Sequence, residues 1–250
     1  MSLQKLKKDG FVYLNFNKDI KNYVHEINKL IEPYFKKINF DKLKKENYSK
    51  LIFEIQSKIN KTFPPEFFFN KNKKLFKKIF KNNEFAIQHY FYFRAVKPSI
   101  KKDSNSVNFH RETFQGSDFY KHCFNLWIPL IDCSKKNAVQ YFPYSHKFKK
   151  YLDFDYTENW TKVRKGSYSH KIGSLYKEKI LTFTKKVNPK RLYKKNHVIL
   201  FSGELIHGNA TNMTNKVRMS LDMRFMLKKF MKKNPIQTAN KKKYFQEIAL

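Results

Sequence analysis

The hydrophobic period of this chain changes near residue 85, and that change limits it to a helical opening followed by a sheet-built remainder. Before it, Ile20, Tyr23, Val24, Ile27, Leu30, Ile31 and Tyr34 recur at three- and four-residue spacing, the pattern of a helix with one buried face. Asn17 stands where an N-cap belongs. Leu43, Leu51, Ile52, Ile55 and Ile59 form a second helical pattern closed by Pro64-Pro65, and a short lysine-rich helix is predicted over about 72–82. Ahead of these, residues 9–16 read as a strand opened by a glycine turn. From Phe85 to Val96 β-branched and aromatic residues are dense, and further strands are predicted at 107–113, 121–131, 138–142, 197–202 and 217–227. Helices first and strands afterwards is an α+β order, with helices packed on one side of an antiparallel core.

With 250 residues the chain can bury a proper core, and one domain over 1–250 is expected. Within it, 1–84 is mainly helical, 85–227 forms the core, and 228–250 is a basic C-terminal tail. Residues 145–195 are weakly periodic and rich in Lys and Tyr; a long irregular insertion of this kind predicts a cover over a pocket. No apolar run approaches the length of a membrane span, and the first residues lack the apolar stretch of a signal peptide. Cys123 and Cys133 are too few for a disulfide scaffold or a thiolate zinc site. A cytoplasmic protein is expected, of unspecified oligomeric state.

The net charge of +33 invites a nucleic-acid reading. Its makeup argues against one: only six of the 53 basic residues are Arg, the side chain preferred for phosphate and base recognition. Lys, Asn, Phe, Ile and Tyr abound together, as an AT-rich coding sequence would specify. The surviving inference is a surface field that favours small anions.

Chemistry concentrates in Asn108-Phe109-His110-Arg111-Glu112-Thr113. On a strand His110 and Glu112 leave the same face, and each can give one ligand to a single metal. The best third ligand is His207, just after a predicted strand; two His and one carboxylate leave open positions, as in non-haem Fe(II) oxygenases. Arg218 follows His207 by eleven residues, in Val217–Phe225, whose strict alternation places Arg218, Ser220, Asp222 and Arg224 on one face. Arg218 supplies the planar fork that grips a carboxylate by two hydrogen bonds.

Taken in order, these segments resemble the phytanoyl-CoA dioxygenase-like branch of the Fe(II)/2-oxoglutarate oxygenases. Leu6–Val12 is similar to that family's opening, His110-Arg111-Glu112 to its His-x-Asp or His-x-Glu motif, and Asn125–Asp132 to its core strand. Lys136–His146 resembles its Asn-Gly…Pro-Gly-Ser-His stretch, and His207, Asn212 and Arg218-Met219-Ser220 resemble the distal histidine and co-substrate arginine motif. Glu112 stands in for the commoner Asp, and Asn137-Ala138 and Pro143-Tyr144 lack the usual glycines. The resemblance implies a double-stranded β-helix (jelly roll) with the N-terminal helices on its major sheet. It also implies Fe(II), 2-oxoglutarate and O2, with oxidative decarboxylation of the co-substrate coupled to C–H hydroxylation. Arg218 and Ser220 would hold the distal carboxylate.

Asn125 and Thr113 are further candidate co-substrate contacts, ordinary polar packing being the alternative. Gln88, Tyr90, Tyr92 and Arg94 share one predicted strand face and, with Trp127, are candidates to meet substrate. His146 is expected to tie down a turn. The insertion matches nothing alignable, so the substrate is specified only as a small and preferentially anionic metabolite, a carbohydrate-pathway intermediate or an amino-acid derivative. A halogenase of similar fold would lack the carboxylate ligand, and Glu112 argues against it. A non-catalytic cupin-like protein would have no need of the Arg218 motif.

Overall fold

The computed structural model describes residues 3–36, 45–80, 84–98, 111–112, 122–147, 188–209, 211–231 and 245–248. Two short elements open the chain, helix α1 (Leu3–Asp9) and strand β1 (Phe11–Asn15). Between them Gly10 adopts φ +82°, against the ring of His146; a Cβ there would come within 2.5 Å of Nδ1. Helix α2 (Lys18–Lys36) follows, and the Ile20 N–H donates to Asn17 Oδ1 at 2.7 Å, the cap the sequence predicts. Helices α3 (Lys45–Thr62), α4 (Pro65–Lys71) and α5 (Lys73–Phe80) complete the helical third.

The strands begin with β2 (Phe85–Gln88) and β3 (Tyr92–Val96). The sequence predicts one strand from 85 to 96, and this is corrected to two. Helix α3 causes the break: Asn60 accepts from the Phe91 N–H at 2.6 Å and donates to its carbonyl at 2.9 Å, and Gln56 accepts from the Phe93 N–H. Side chains of a helix thus take over backbone groups that a sheet ladder would otherwise satisfy. Then come β4 (Cys123–Pro129), β5 (Val139–Tyr141), β6 (Lys190–Arg191), β7 (His197–Ser202), β8 (His207–Asn209) and β9 (Arg218–Leu227). Helix α6 (Lys228–Met231) and β10 (Phe245–Ile248) lie where the sequence suggests only a basic tail. The predicted strand at 107–113 is not borne out where it is described: Arg111 and Glu112 pair with no strand. The predicted cover falls largely on 148–187, outside the described residues.

The described strands form two antiparallel sheets. The major sheet runs β1-β7-β4-β9-β2-β10, with β3 also on β9; the minor sheet runs β6-β5-β8. Alternation sorts the side chains into two layers. Leu126, Ile128, Leu200, Met219, Leu221, Met223 and Phe225 face the helices, where Ile27, Ile55, Phe68, Phe76 and Phe80 complete one core. Trp127, Ile199 and Phe201 face the minor sheet, where Ala138, Val139, Tyr141, Leu192 and Leu205 complete a second. Phe225 shows the packing of the first core, its ring lying 5.4–5.7 Å from those of Phe69, Phe80, Phe85 and Phe124. Burying one such ring contributes about 1.5–3 kcal/mol. The helices on the major sheet and the double-sheet core match the architecture expected from the sequence.

Candidate active site

The polar side of β9 faces the space between the sheets. Its cross-strand partners set the order of residues there: Arg224 lies opposite Asn125, Asp222 opposite Trp127 and Tyr92, and Ser220 opposite Pro129 and Arg94. Arg218, Ser220 and Arg224 are all buried, although two of them carry charge. Buried polar groups persist where they find partners, and on this face the partners are mostly one another.

Glu112 reaches the layer from the segment before β4. Its backbone N–H donates to the Gly203 carbonyl at 2.8 Å, and the Gly203 N–H donates to Cys123 at 2.8 Å. The glutamate therefore hangs on the same turn that leads to His207. Its Oε1 accepts from Asn125 Nδ2 at 3.0 Å and its Oε2 from Arg224 Nε at 2.5 Å. Neighbouring Arg111, also buried, turns the other way, donating to the Ser145 carbonyl and lying 3.4 Å from Glu204 Oε2. Burial pushes its guanidinium down to about 10, against the opposing pull of Glu204. Ser145 Oγ in turn accepts from the Ile206 N–H at 2.8 Å, so Arg111 ties the glutamate segment to the turn before His207. The sequence reading missed this residue, because its partners come from a loop that periodicity does not place.

His207 Nδ1 donates to the Leu205 carbonyl at 2.8 Å, and Nε2 lies 3.6 Å from Glu112 Oε1. The Nδ1 contact leaves Nε2 as the ring nitrogen that faces Glu112, and a neutral imidazole would bind a metal through it. Two atoms that share an ion at about 2.1 Å each can be at most about 4.2 Å apart. The observed separation lies within that limit and is too long for a hydrogen bond. An imidazole nitrogen and a carboxylate oxygen at this separation are a ligand pair suited to Fe(II). No cluster of three His, Cys, Asp or Glu occurs among the described residues; His110 and Thr113 lie outside them. The two cysteines offer no substitute, since burial pushes Cys133 up to about 12 and Cys123 well above its ordinary value.

Arg218 lies further along β9. Its Nη1 donates to Ser220 Oγ at 2.6 Å, and its guanidinium lies 5.8 Å from the Trp127 ring centre. Burial depresses its pKa, against the opposing influence of Cys133 and Asp222. Asp222 engages Arg94 at 3.2 Å and also contributes its charge to the surroundings of Arg218. Of the candidate substrate residues, Gln88, Tyr92, Arg94 and Trp127 line this face. Tyr90 lies in the interruption between β2 and β3 and shares a hydroxyl contact of 2.8 Å with Tyr92. Gln88 Oε1 accepts from the Arg224 N–H at 3.0 Å, while its buried Nε2 has no hydrogen-bond partner among the described residues. His146 holds its turn as expected, with Nε2 3.0 Å from the Lys7 carbonyl.

A family model described as phytanoyl-CoA dioxygenase (PhyH) matches residues 18–220. The chain belongs to that family. It is therefore an Fe(II)- and 2-oxoglutarate-dependent oxygenase that uses O2. Among solved structures it is similar to EctD from S. alaskensis with 2-oxoglutarate and 5-hydroxyectoine, at 16% identity and TM-score 0.54, covering 90% of this chain and 74% of that one. It is also similar to the epimerase SnoN in complex with Fe3+, α-ketoglutarate and nogalamycin RO, at 11% identity and TM-score 0.51, covering 98% and 93%. At such identities these likenesses concern the fold, here the double-stranded β-helix with its flanking helices. No curated protein matches the chain. No described helix of this PhyH-family oxygenase is long and apolar enough to cross a membrane.

Proposed function

We propose that this oxygenase hydroxylates a small anionic metabolite. In this reading His110, Glu112 and His207 hold Fe(II), and Arg218 with Ser220 receives the distal carboxylate of 2-oxoglutarate. One alternation step along β4, about 7 Å, separates Asn125, which holds Glu112, from Trp127, which lies under Arg218. A five-carbon dicarboxylate is of the length to bridge such a step, with its keto-acid end at the metal and its far carboxylate at the fork. Bound Fe(II) and 2-oxoglutarate would activate O2, the oxidant, to break a C–H bond, one oxygen atom going into the hydroxyl group and the other into succinate as CO2 is released. The residues around them orient the ligands and exclude water, as the burial of Glu112, Arg218, Ser220 and Arg224 favours.

The observation that carries the anionic substrate is Arg94. It donates to Asp222 through Nε alone, and its side chain keeps 38% exposure with the guanidinium 4.9 Å from the Tyr92 ring centre. Its terminal nitrogens are thus presented at the open side of the layer that holds Arg218. Tyr92 lies beside Arg94 and bonds Tyr90, Trp127 stands opposite its partner Asp222, and Gln88 lies further along the layer at Arg224; hydroxyl, ring and amide together suit a carbohydrate-pathway intermediate or an amino-acid derivative. The test is succinate release across panels of phosphorylated, carboxylated and neutral metabolites, with iron and 2-oxoglutarate supplied. Turnover is expected with an anionic compound, and Arg94→Ala should lower kcat/KM for it about tenfold or more while leaving the KM for 2-oxoglutarate unchanged. Turnover confined to neutral compounds, or an unaltered kcat/KM in Arg94→Ala, would refute the assignment.

A further inference from the structure

We propose that Arg224 is the positioning residue of the carboxylate ligand, holding Glu112 Oε2 so that Oε1 alone faces His207. The inference rests on Glu112 and His207 being metal ligands. Glutamate carries one more methylene than aspartate and so one more torsion, and its carboxylate offers two oxygens to any nearby cation. Nothing in the side chain itself prevents both from binding. The surroundings do so here. Arg224 Nε donates to Oε2 at 2.5 Å, while Asn125 Nδ2 and His207 Nε2 both lie on the Oε1 side, at 3.0 and 3.6 Å.

The holder is itself held. Arg224 stands directly opposite Asn125 across the β4–β9 ladder, its backbone N–H donates to Gln88 Oε1 at 3.0 Å, and its guanidinium lies 5.7 Å from the Tyr92 ring centre. Its side chain is 9% exposed and that of Glu112 is 3%, so the pair is shielded from solvent screening. Outer partners of this kind fix the orientation of metal ligands. The constraint matters for a site with three protein ligands, because three positions must stay open for the co-substrate's two donors and for O2. A glutamate binding through both oxygens would close one of them. Arg224 thus lets a glutamate serve where a shorter aspartate is the commoner ligand.

The test counts open positions and needs no turnover. The full-length protein is loaded with Mn(II), whose bound, exchanging waters are read from water-proton relaxation. The wild type should show about three such positions and Arg224→Met about two, a fall of roughly one third. Arg224→Lys, which can still donate to Oε2, should recover much of the difference. In a Glu112→Gln background only the amide oxygen can bind, so adding Arg224→Met should change nothing, a coupling that general loosening of the sheet would not give. Equal water counts in wild type and Arg224→Met, or the same fall in the Glu112→Gln background, would overturn the proposal. Failure of the wild type itself to bind Mn(II) would overturn the metal assignment beneath it, and the two failures are told apart by that control.

Discussion

Arg218 should be dispensable for folding yet indispensable for holding 2-oxoglutarate. It is fully buried, it donates to Ser220 at 2.6 Å, and burial depresses its pKa. Taking a charge out of water carries a solvation cost, and a carboxylate bound at the guanidinium would offset part of it. Losing a desolvated, charge-assisted pair costs roughly 2–5 kcal/mol, which at 1.4 kcal/mol per decade is about 30- to 4000-fold in affinity. Arg218→Met keeps the volume and removes the charge, so the ligand-free protein should melt at an equal or higher temperature. Calorimetric titration of the Co(II)-loaded protein should show 2-oxoglutarate affinity falling by that factor, with Co(II) affinity nearly intact. Arg218→Lys should recover only part, because it keeps the charge without the planar fork. Wild-type 2-oxoglutarate affinity in Arg218→Met would refute the reasoning. So would loss of Co(II) binding, because Arg218 would then support the metal ligands rather than the co-substrate.

Gly10→Ala forces a side chain into φ +82° and against the His146 ring. The left-handed backbone alone should cost about 1–2 kcal/mol, or roughly 2–8 °C in Tm for a chain of this size, and an unchanged melting curve would contradict the close packing of α1. His146 should also make stability depend on pH. Burial is the main cause that lowers its pKa below the ordinary 6.5, so below pH 6.5 the unfolded chain takes up the proton first. Stability should then fall as pH drops from 6.5 towards the lowered folded value. Urea melts should show this slope, and His146→Gln should flatten it.

Much of the architecture is legible because local and tertiary demands agree. The spacing from Ile20 to Tyr34 predicts α2 because those side chains do face the sheet, and Asn17 caps it as its position suggests. The alternation in 217–225 predicts β9 because one side of the strand meets helices and the other the polar layer. Legibility fails where a distant group decides. The break at residues 89–91 is made by Asn60 and Gln56, some thirty positions earlier and on a helix. Strand β10 is four residues long, and its partner β2 lies far back in the chain. Tyr144 adopts φ +62°, where the family has glycine, and nothing in its identity announces that turn. In the site, residue type and order single out Glu112, His207 and Arg218, and the fold brings Glu112 to within 3.6 Å of His207 and buries Arg218. The use of Asn125 to hold Glu112 could not be read in this way, because it depends on the distant turn at Gly203, which hangs Glu112 beside β4.

The polar layer explains why β9 occupies the middle of the major sheet. An edge strand could expose Arg218, Ser220, Asp222 and Arg224 to water at little cost, and they would then be weakly placed and screened. In the interior, each must find a partner or raise the energy of the fold, and the ladder supplies those partners at fixed spacing. Asn125 and Arg224 face each other and converge on Glu112; Asp222 takes Arg94; Ser220 takes Arg218. Burial depresses the pKa of Arg218, with the charge of Asp222 among the influences pulling the other way. The opposite side of the same strand is anchored by Met219, Leu221, Met223 and Phe225 in the helix-covered core. Alternation therefore separates the two tasks within one strand. Odd-numbered residues stabilise the sheet, and even-numbered residues build the polar layer.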